Sequence, residues 1–172
     1  MADALLVVDA INMFTHDDAD ALLASFQRRV GGMEAALSDA RRDERPVIYA
    51  NDAGGRWDGD APGHVRDAVE RGRGGDVVAR IAPVPGDRFF FKLRYSAFDQ
   101  TPLRQVLAEL DIDHILLAGA ATEGCVVQTG IDGREQGLKV TILASACATI
   151  EEEIERLALE YAERVAGIRV AR

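Results

Sequence analysis

Short apolar runs alternate with longer segments of helical periodicity along the chain, and this alternation most narrows the fold it can adopt. Ala4 to Val8, Pro46 to Ala50, Arg88 to Lys92, His114 to Ala118, Lys139 to Leu143 and a weaker Gly167 to Val170 are of strand length. Their near-continuous apolar character suits strands covered on both faces. Between the first two, Leu22, Leu23, Phe26, Val30, Met33 and Leu37 recur at helical spacing and predict a helix over Ala19 to Arg42. Further helices are predicted over 63–71, over 102–110 with Pro102 at a tolerated first-turn position, over 123–136 and over 150–165. Glu151, Glu152 and Glu153 suit a helix N-terminus and read as a cap and a solvated face. Strands and helices in this order build an α/β fold on a mostly parallel sheet. The stretch from Asp52 to Gly86, rich in Gly, Arg, Asp and Pro, reads as excursions over the mouth of a site.

With 172 residues, 48% of them hydrophobic, the chain can bury a core as one domain over 1–172. Its net charge of −9, from 29 acidic and 20 basic side chains, opposes a general attraction to nucleic acid or to an anionic membrane. A small molecule or another subunit is the expected partner. No basic segment precedes the first short apolar run, and no run approaches the roughly 20 residues of a membrane span, so a soluble, cytoplasmic protein is expected. The two cysteines, Cys125 and Cys147, stand in unlike contexts without the spacing of a zinc site or a redox dithiol.

Open α/β sheets bind ligands beyond the carboxyl ends of their strands. Asp9 ends the first predicted strand, Lys92 ends the third, and Cys125 follows the fourth at the start of a predicted helix. A cysteine in a first helical turn meets exposed amides and the positive end of the helix dipole, which favour thiolate. Small neighbours in Gly119-Ala-Ala-Thr122-Glu-Gly-Cys125 leave backbone N–H groups able to converge on an oxyanion. Asp9 could accept the thiol proton if burial raises its pKa, with Lys92 balancing the charge. Taken singly, each residue has a plainer reading: an inert buried thiol, a turn aspartate, a solvated lysine.

Four ordered blocks join them: Leu5-Leu-Val-Val-Asp9-Ala-Ile-Asn12-Met-Phe14, Tyr49-Ala-Asn-Asp52, Phe91-Lys92-Leu-Arg94-Tyr-Ser96-Ala-Phe98, and Gly119-Ala-Ala-Thr122-Glu-Gly-Cys125-Val126 with Thr129 and Asp132 following. This series resembles the isochorismatase-like cysteine hydrolase family. The resemblance implies a Rossmann-like three-layer α/β/α sandwich with a six-stranded parallel sheet, and a triad of Asp9, Lys92 and Cys125. It also implies a cis peptide between Ala120 and Ala121, an oxyanion site at the N–H groups of Ala121 and Cys125, and a dimer or tetramer.

Departures from the family pattern refine the expectation. Members with nicotinamidase activity carry an Asp-x-His metal element after the second strand, whereas here Asp52-Ala-Gly54 lacks the His and His64 stands outside the element. No metal and no cofactor are therefore expected, and Asp52 is read as a loop-forming residue. Ile11 and Met13 replace two polar residues of the family's usual Asp-x-Gln-Asn-Asp-Phe, predicting a more apolar pocket. Phe14 by resemblance, Trp57 by stacking and Arg94 by its bidentate fork are further candidates for substrate contact, while Cys147 reads as packing. The expected chemistry is thioester-forming cleavage of an amide or N-carbamoyl bond. Two alternatives remain: vinyl-ether hydrolysis with Asp9 as acid, and a catalytically idle binding or thiol-sensing subunit.

Overall fold

The computed structural model describes residues 2–55 and 58–172. Trp57 falls outside the described residues. Among the described residues, strands and helices follow in the order β1 (Ala2–Val8), α1 (Ala19–Arg42), β2 (Val47–Asp52), α2 (Ala61–Glu70), α3 (Gly75–Arg80), β3 (Arg88–Lys92), α4 (Leu103–Glu109), β4 (Ile112–Ala120), α5 (Val127–Glu135), β5 (Lys139–Ala148), α6 (Glu152–Arg164) and β6 (Arg169–Ala171). The strands pair in the order β3-β2-β1-β4-β5-β6, all parallel.

Alternation along the strands separates two cores. Leu5 and Val7 of β1 pack with Val47 and Tyr49 of β2 beneath α1 and α3, where Phe26, Val30, Met33, Leu37, Val77 and Val78 are buried. Leu6 and Val8 point the other way, joining Ile48, Leu117 and Ile142 beneath Leu103 and Leu107 of α4 and Leu159 and Ala162 of α6. A strand buried on both faces has no polar side to show, which explains the unbroken apolar runs. The result is the three-layer α/β/α sandwich with a six-stranded parallel sheet. Among the described residues no helix is long and apolar enough to cross a membrane.

The structure departs from the predicted elements in three places. β4 and β5 run on to Ala120 and Ala148, pairing Gly119 with Cys147 and Ala120 with Ala148 after a register shift beyond Leu117. The small residues after Leu143 hide this extension, because an apolar-run reading stops at Ser145. The helix predicted over 123–136 begins only at Val127; Thr122–Val126 is a wide turn in which Gly124 takes non-helical angles, φ −115° and ψ −106°. Finally, α3 emerges inside the presumed excursion, too short to register as a periodicity, with Val77 and Val78 turned into the core.

Two adjacent glycines in α1 show how closely the layers meet. A Cβ on Gly32 would lie 2.1 Å from the Ser145 carbonyl oxygen of β5, whereas one on Gly31 would meet nothing within 4 Å. Gly32→Ala is expected to lower stability by about 2 kcal/mol or more through forced separation of α1 and β5. Gly31→Ala should raise it by about 0.5–1 kcal/mol through helix propensity. Urea denaturation of the two variants beside the parent measures both, and the signs must be opposite.

Candidate active site

The sheet order reverses at β1, which has β2 on one side and β4 on the other, so a crevice opens beyond the carboxyl ends of β1 and β4. Asp9 stands just past β1 with φ 48°. Its N–H donates to the Ala50 carbonyl at 3.0 Å, and its Oδ1 accepts the Asp52 N–H at 2.6 Å. Lys92, the last residue of β3, is 1% exposed. Its Nζ lies 2.8 Å from Asp9 Oδ2, 2.8 Å from the Arg94 carbonyl oxygen and 3.3 Å from Cys125 Sγ. The three ammonium protons thus have three acceptors.

Burial sets the protonation of this cluster. It pushes the Asp9 carboxyl above its ordinary value, outweighing the Lys92 charge that pulls it down. At Lys92 burial acts to strip the proton, but the charges and hydrogen bonds of Asp9 and Cys125 together outweigh it and raise the pKa. The Cys125 thiol is pushed up to about 12, first by burial and then by the Asp9 charge, with Lys92 opposing. The depression expected of a helix dipole is opposed here: Cys125 lies in the turn Thr122–Val126 that leads into α5, and its half-buried position beside a carboxylate favours the neutral thiol. At rest the lysine is charged, the thiol holds its proton, and the carboxylate beside it is unusually basic.

The turn carrying Cys125 is gripped from both sides. The Ala120–Ala121 peptide is cis, and the Ala121 carbonyl accepts from the N–H groups of Gly124 and Val126 at 3.0 and 3.2 Å. The Thr122 hydroxyl, fully buried, lies 2.7 Å from the Glu155 carboxylate and 3.1 Å from the Ala148 carbonyl oxygen. Glu155 is held in turn by both Arg29 guanidinium nitrogens at 2.5 and 2.7 Å, and Arg29 also donates to the Cys147 carbonyl. Glu123 reaches over to the start of α6, accepting the N–H groups of Ile150 and Glu151 and the Thr149 hydroxyl at 2.8, 3.1 and 2.8 Å.

A cavity of about 760 Å³ opens over Asp9 and Cys125, with Ala121 on its wall and Lys92 behind it. Ile11, Met13, Leu22 and Ile150 give it the apolar wall that the sequence predicts. Two candidate contacts do not reach it. Phe14 is fully buried and stands edge-on to Phe26 at 5.3 Å in the core, because the chain turns inward after Asn12. The Arg94 side chain faces a separate shallow pocket with Asp99, Gln128 and Asp132, and only its backbone carbonyl serves the cluster. Cys147 is buried, and both cysteines are free.

His64, set apart by its place in the sequence, returns to the cavity wall through α2. Its Nε2 lies 3.1 Å from the Ile11 carbonyl oxygen and 3.2 Å from Asn51 Nδ2, so protein groups already engage it. Asp52 Oδ1 accepts the Gly54 N–H at 2.6 Å, shaping the loop. Among the described residues no three His, Cys, Asp or Glu side chains are grouped to share a metal ion, and the donor set does not fit one. Sequence reasoning gave no role to Asn51, which clamps Ile11 by accepting its N–H at 2.9 Å and donating to its carbonyl at 3.0 Å. An asparagine inside an apolar strand was the available signal, since a buried amide must find partners.

A family model described as the Isochorismatase domain matches residues 3–170. The chain belongs to the isochorismatase family. The isochorismatase family protein YaaI of Bacillus subtilis (strain 168) is 34% identical over 162 residues, covering 94% of this chain and 89% of that protein. Maleamate amidohydrolase of Pseudomonas putida is 28% identical over 152 residues, covering 84% of this chain and 70% of its own length. Among solved structures, N-carbamoylsarcosine amidase from Thermoplasma acidophilum superposes with a TM-score of 0.76 at 28% identity, covering all of this chain and 96% of that one. By name, these last two are an amidohydrolase and an amidase.

Removing the Lys92 ammonium would strand a buried carboxylate. Lys92→Met is expected to lose about 3 kcal/mol of stability at pH 8. With Asp9 carrying a folded-state pKa above its unfolded one, the folded chain binds the extra proton between those two values, and stability falls as pH rises through that window. The deficit should accordingly shrink between pH 8 and pH 5. Chemical denaturation at the two pH values measures it, and a deficit that grows on acidification contradicts a stranded Asp9 carboxylate.

Proposed function

We propose that this isochorismatase-family chain is a metal-independent amide hydrolase in which Cys125 is the nucleophile, Asp9 the proton shuttle and Lys92 the group that holds them together. The observation carrying this reading is the lysine ammonium shared by a basic carboxylate and a thiol at the floor of a cavity. Asp9 takes the thiol proton as the sulfur attacks the amide or N-carbamoyl carbonyl. The Ala121 and Cys125 N–H groups receive the charge that develops on the carbonyl oxygen. As the carbon–nitrogen bond breaks, Asp9 gives its proton to the leaving amine and a thioester remains. Water then attacks the thioester while Asp9 accepts its proton, and the acid leaves as the thiol is restored. Lys92 stays charged throughout. The two amide-hydrolysing relatives support an amide over a vinyl-ether substrate.

On a panel of amides and N-carbamoyl compounds assayed for ammonia release, Cys125→Ala and Asp9→Asn should each lower kcat/KM by about a thousandfold or more. Vinyl-ether chemistry would instead spare Cys125→Ala, and an idle subunit would turn over nothing. The parent's kcat/KM should fall on the acid side as Asp9 is protonated, at a pH above the ordinary carboxylate range. Above that limb the thiol should add no second limb near neutrality, because at about 12 it keeps its proton. An acid limb at the ordinary carboxylate value, or one insensitive to Asp9→Asn, would count against the shuttle.

A further inference from the structure

The charge lining the cavity bears on which amides can enter it. Asp9 and Lys92 neutralise each other at the floor. Two further carboxylates line the same cavity: Glu123, two residues before Cys125, and Asp52, whose N–H is bonded to Asp9. The partners of both carboxylates are backbone N–H groups and a hydroxyl, with no cation among the described residues. Asp67, the fourth carboxylate on the wall, is paired with Arg71. Among the described residues lining the cavity there is no arginine and no lysine. The remaining wall includes Ile11, Met13, Leu22 and Ile150, and the whole chain carries −9.

An anionic substrate entering here would be desolvated against apolar side chains and repelled by two carboxylates, and among the described residues the basic side chains on the wall are His16 and His64, with no guanidinium or ammonium beside them. Recognition of a carboxylate ordinarily uses an arginine or lysine placed for that purpose. We propose that the cavity selects amides whose acyl part is uncharged, and disfavours those whose acyl part carries a carboxylate. This deepens the reading of Cys125 as nucleophile and rests on it. The relative named for maleamate acts on an anion, so the two proteins would share a reaction centre and differ in the charge they admit.

Alkylation of Cys125 in the full chain offers a test that needs no substrate. Iodoacetamide and iodoacetate are nearly the same size and differ by one negative charge. Each rate is read from the mass of the Cys125 peptide and divided by the rate of mercaptoethanol under the same conditions. The normalised ratio should favour iodoacetamide by at least about tenfold at low ionic strength. It should narrow in concentrated salt and in Asp52→Asn, which keeps an acceptor for the Gly54 N–H. A ratio near one, or a preference for iodoacetate, overturns the inference. In turnover, succinamide should be hydrolysed at least about tenfold faster than succinamate, measured as kcat/KM. If both are cleaved with full dependence on Cys125 and succinamate is the faster, the charge inference alone falls. If Cys125→Ala cleaves them as fast as the parent, the nucleophile reading falls and the inference falls with it.

Discussion

A lysine ammonium inside a protein must be matched by acceptors or give up its charge, and much of this site follows from how Lys92 is matched. Desolvating such an ion costs several kcal/mol even after relaxation. Lys92 meets the demand with a carboxylate, a backbone carbonyl and a sulfur, one for each of its protons. Because Lys92 closes β3, Asp9 follows β1 and Cys125 follows β4, one ammonium ties together strand ends that are far apart in the chain. Asp52 at the end of β2 adds its N–H to the same carboxylate. Four of the six strands thereby converge on the Asp9–Lys92 ion pair.

The surroundings of that group decide its chemistry. In water an aspartate is a weak base; burial raises the basicity of Asp9, and the same burial pushes the Cys125 thiol up. A resting thiolate would be open to oxidation, whereas a neutral thiol is less so. The turn that presents the thiol owes its position to Thr122 and Glu123, bonded to α6 and the end of β5, and to the Arg29–Glu155 pair that anchors this contact to α1. Satisfying backbone groups at the start of α6 and positioning Cys125 are served by the same side chains.

Much of the architecture was legible because it repeats. Strand-length apolar runs and the stripe from Leu22 to Leu37 name β1 to β6 and α1 without reference to distant residues, and α1 spans Ala19–Arg42 as its periodicity predicts. Illegible were the features that depend on particular neighbours. The end of β5 is extended because β4 lies alongside it, the helix after Cys125 starts late because Gly124 leaves helical geometry, and α3 exists because Val77 and Val78 find a core to enter. Phe14 and Arg94 mark the same limit at the site. Both flank motif residues in sequence, yet one side chain turns into the core and the other onto a separate surface pocket.

The sequence by itself determined the α/β alternation, the strand-end positions of Asp9 and Lys92 and the small-residue turn before Cys125, because these are properties of local pattern and of ordered motifs. Only the tertiary structure decided what those residues are to one another. Proximity of groups separated by dozens of residues, the dielectric around them and the resulting protonation are consequences of packing. A thiol that local position alone would make acidic is neutral here, because what surrounds it in space is a buried carboxylate and an apolar wall.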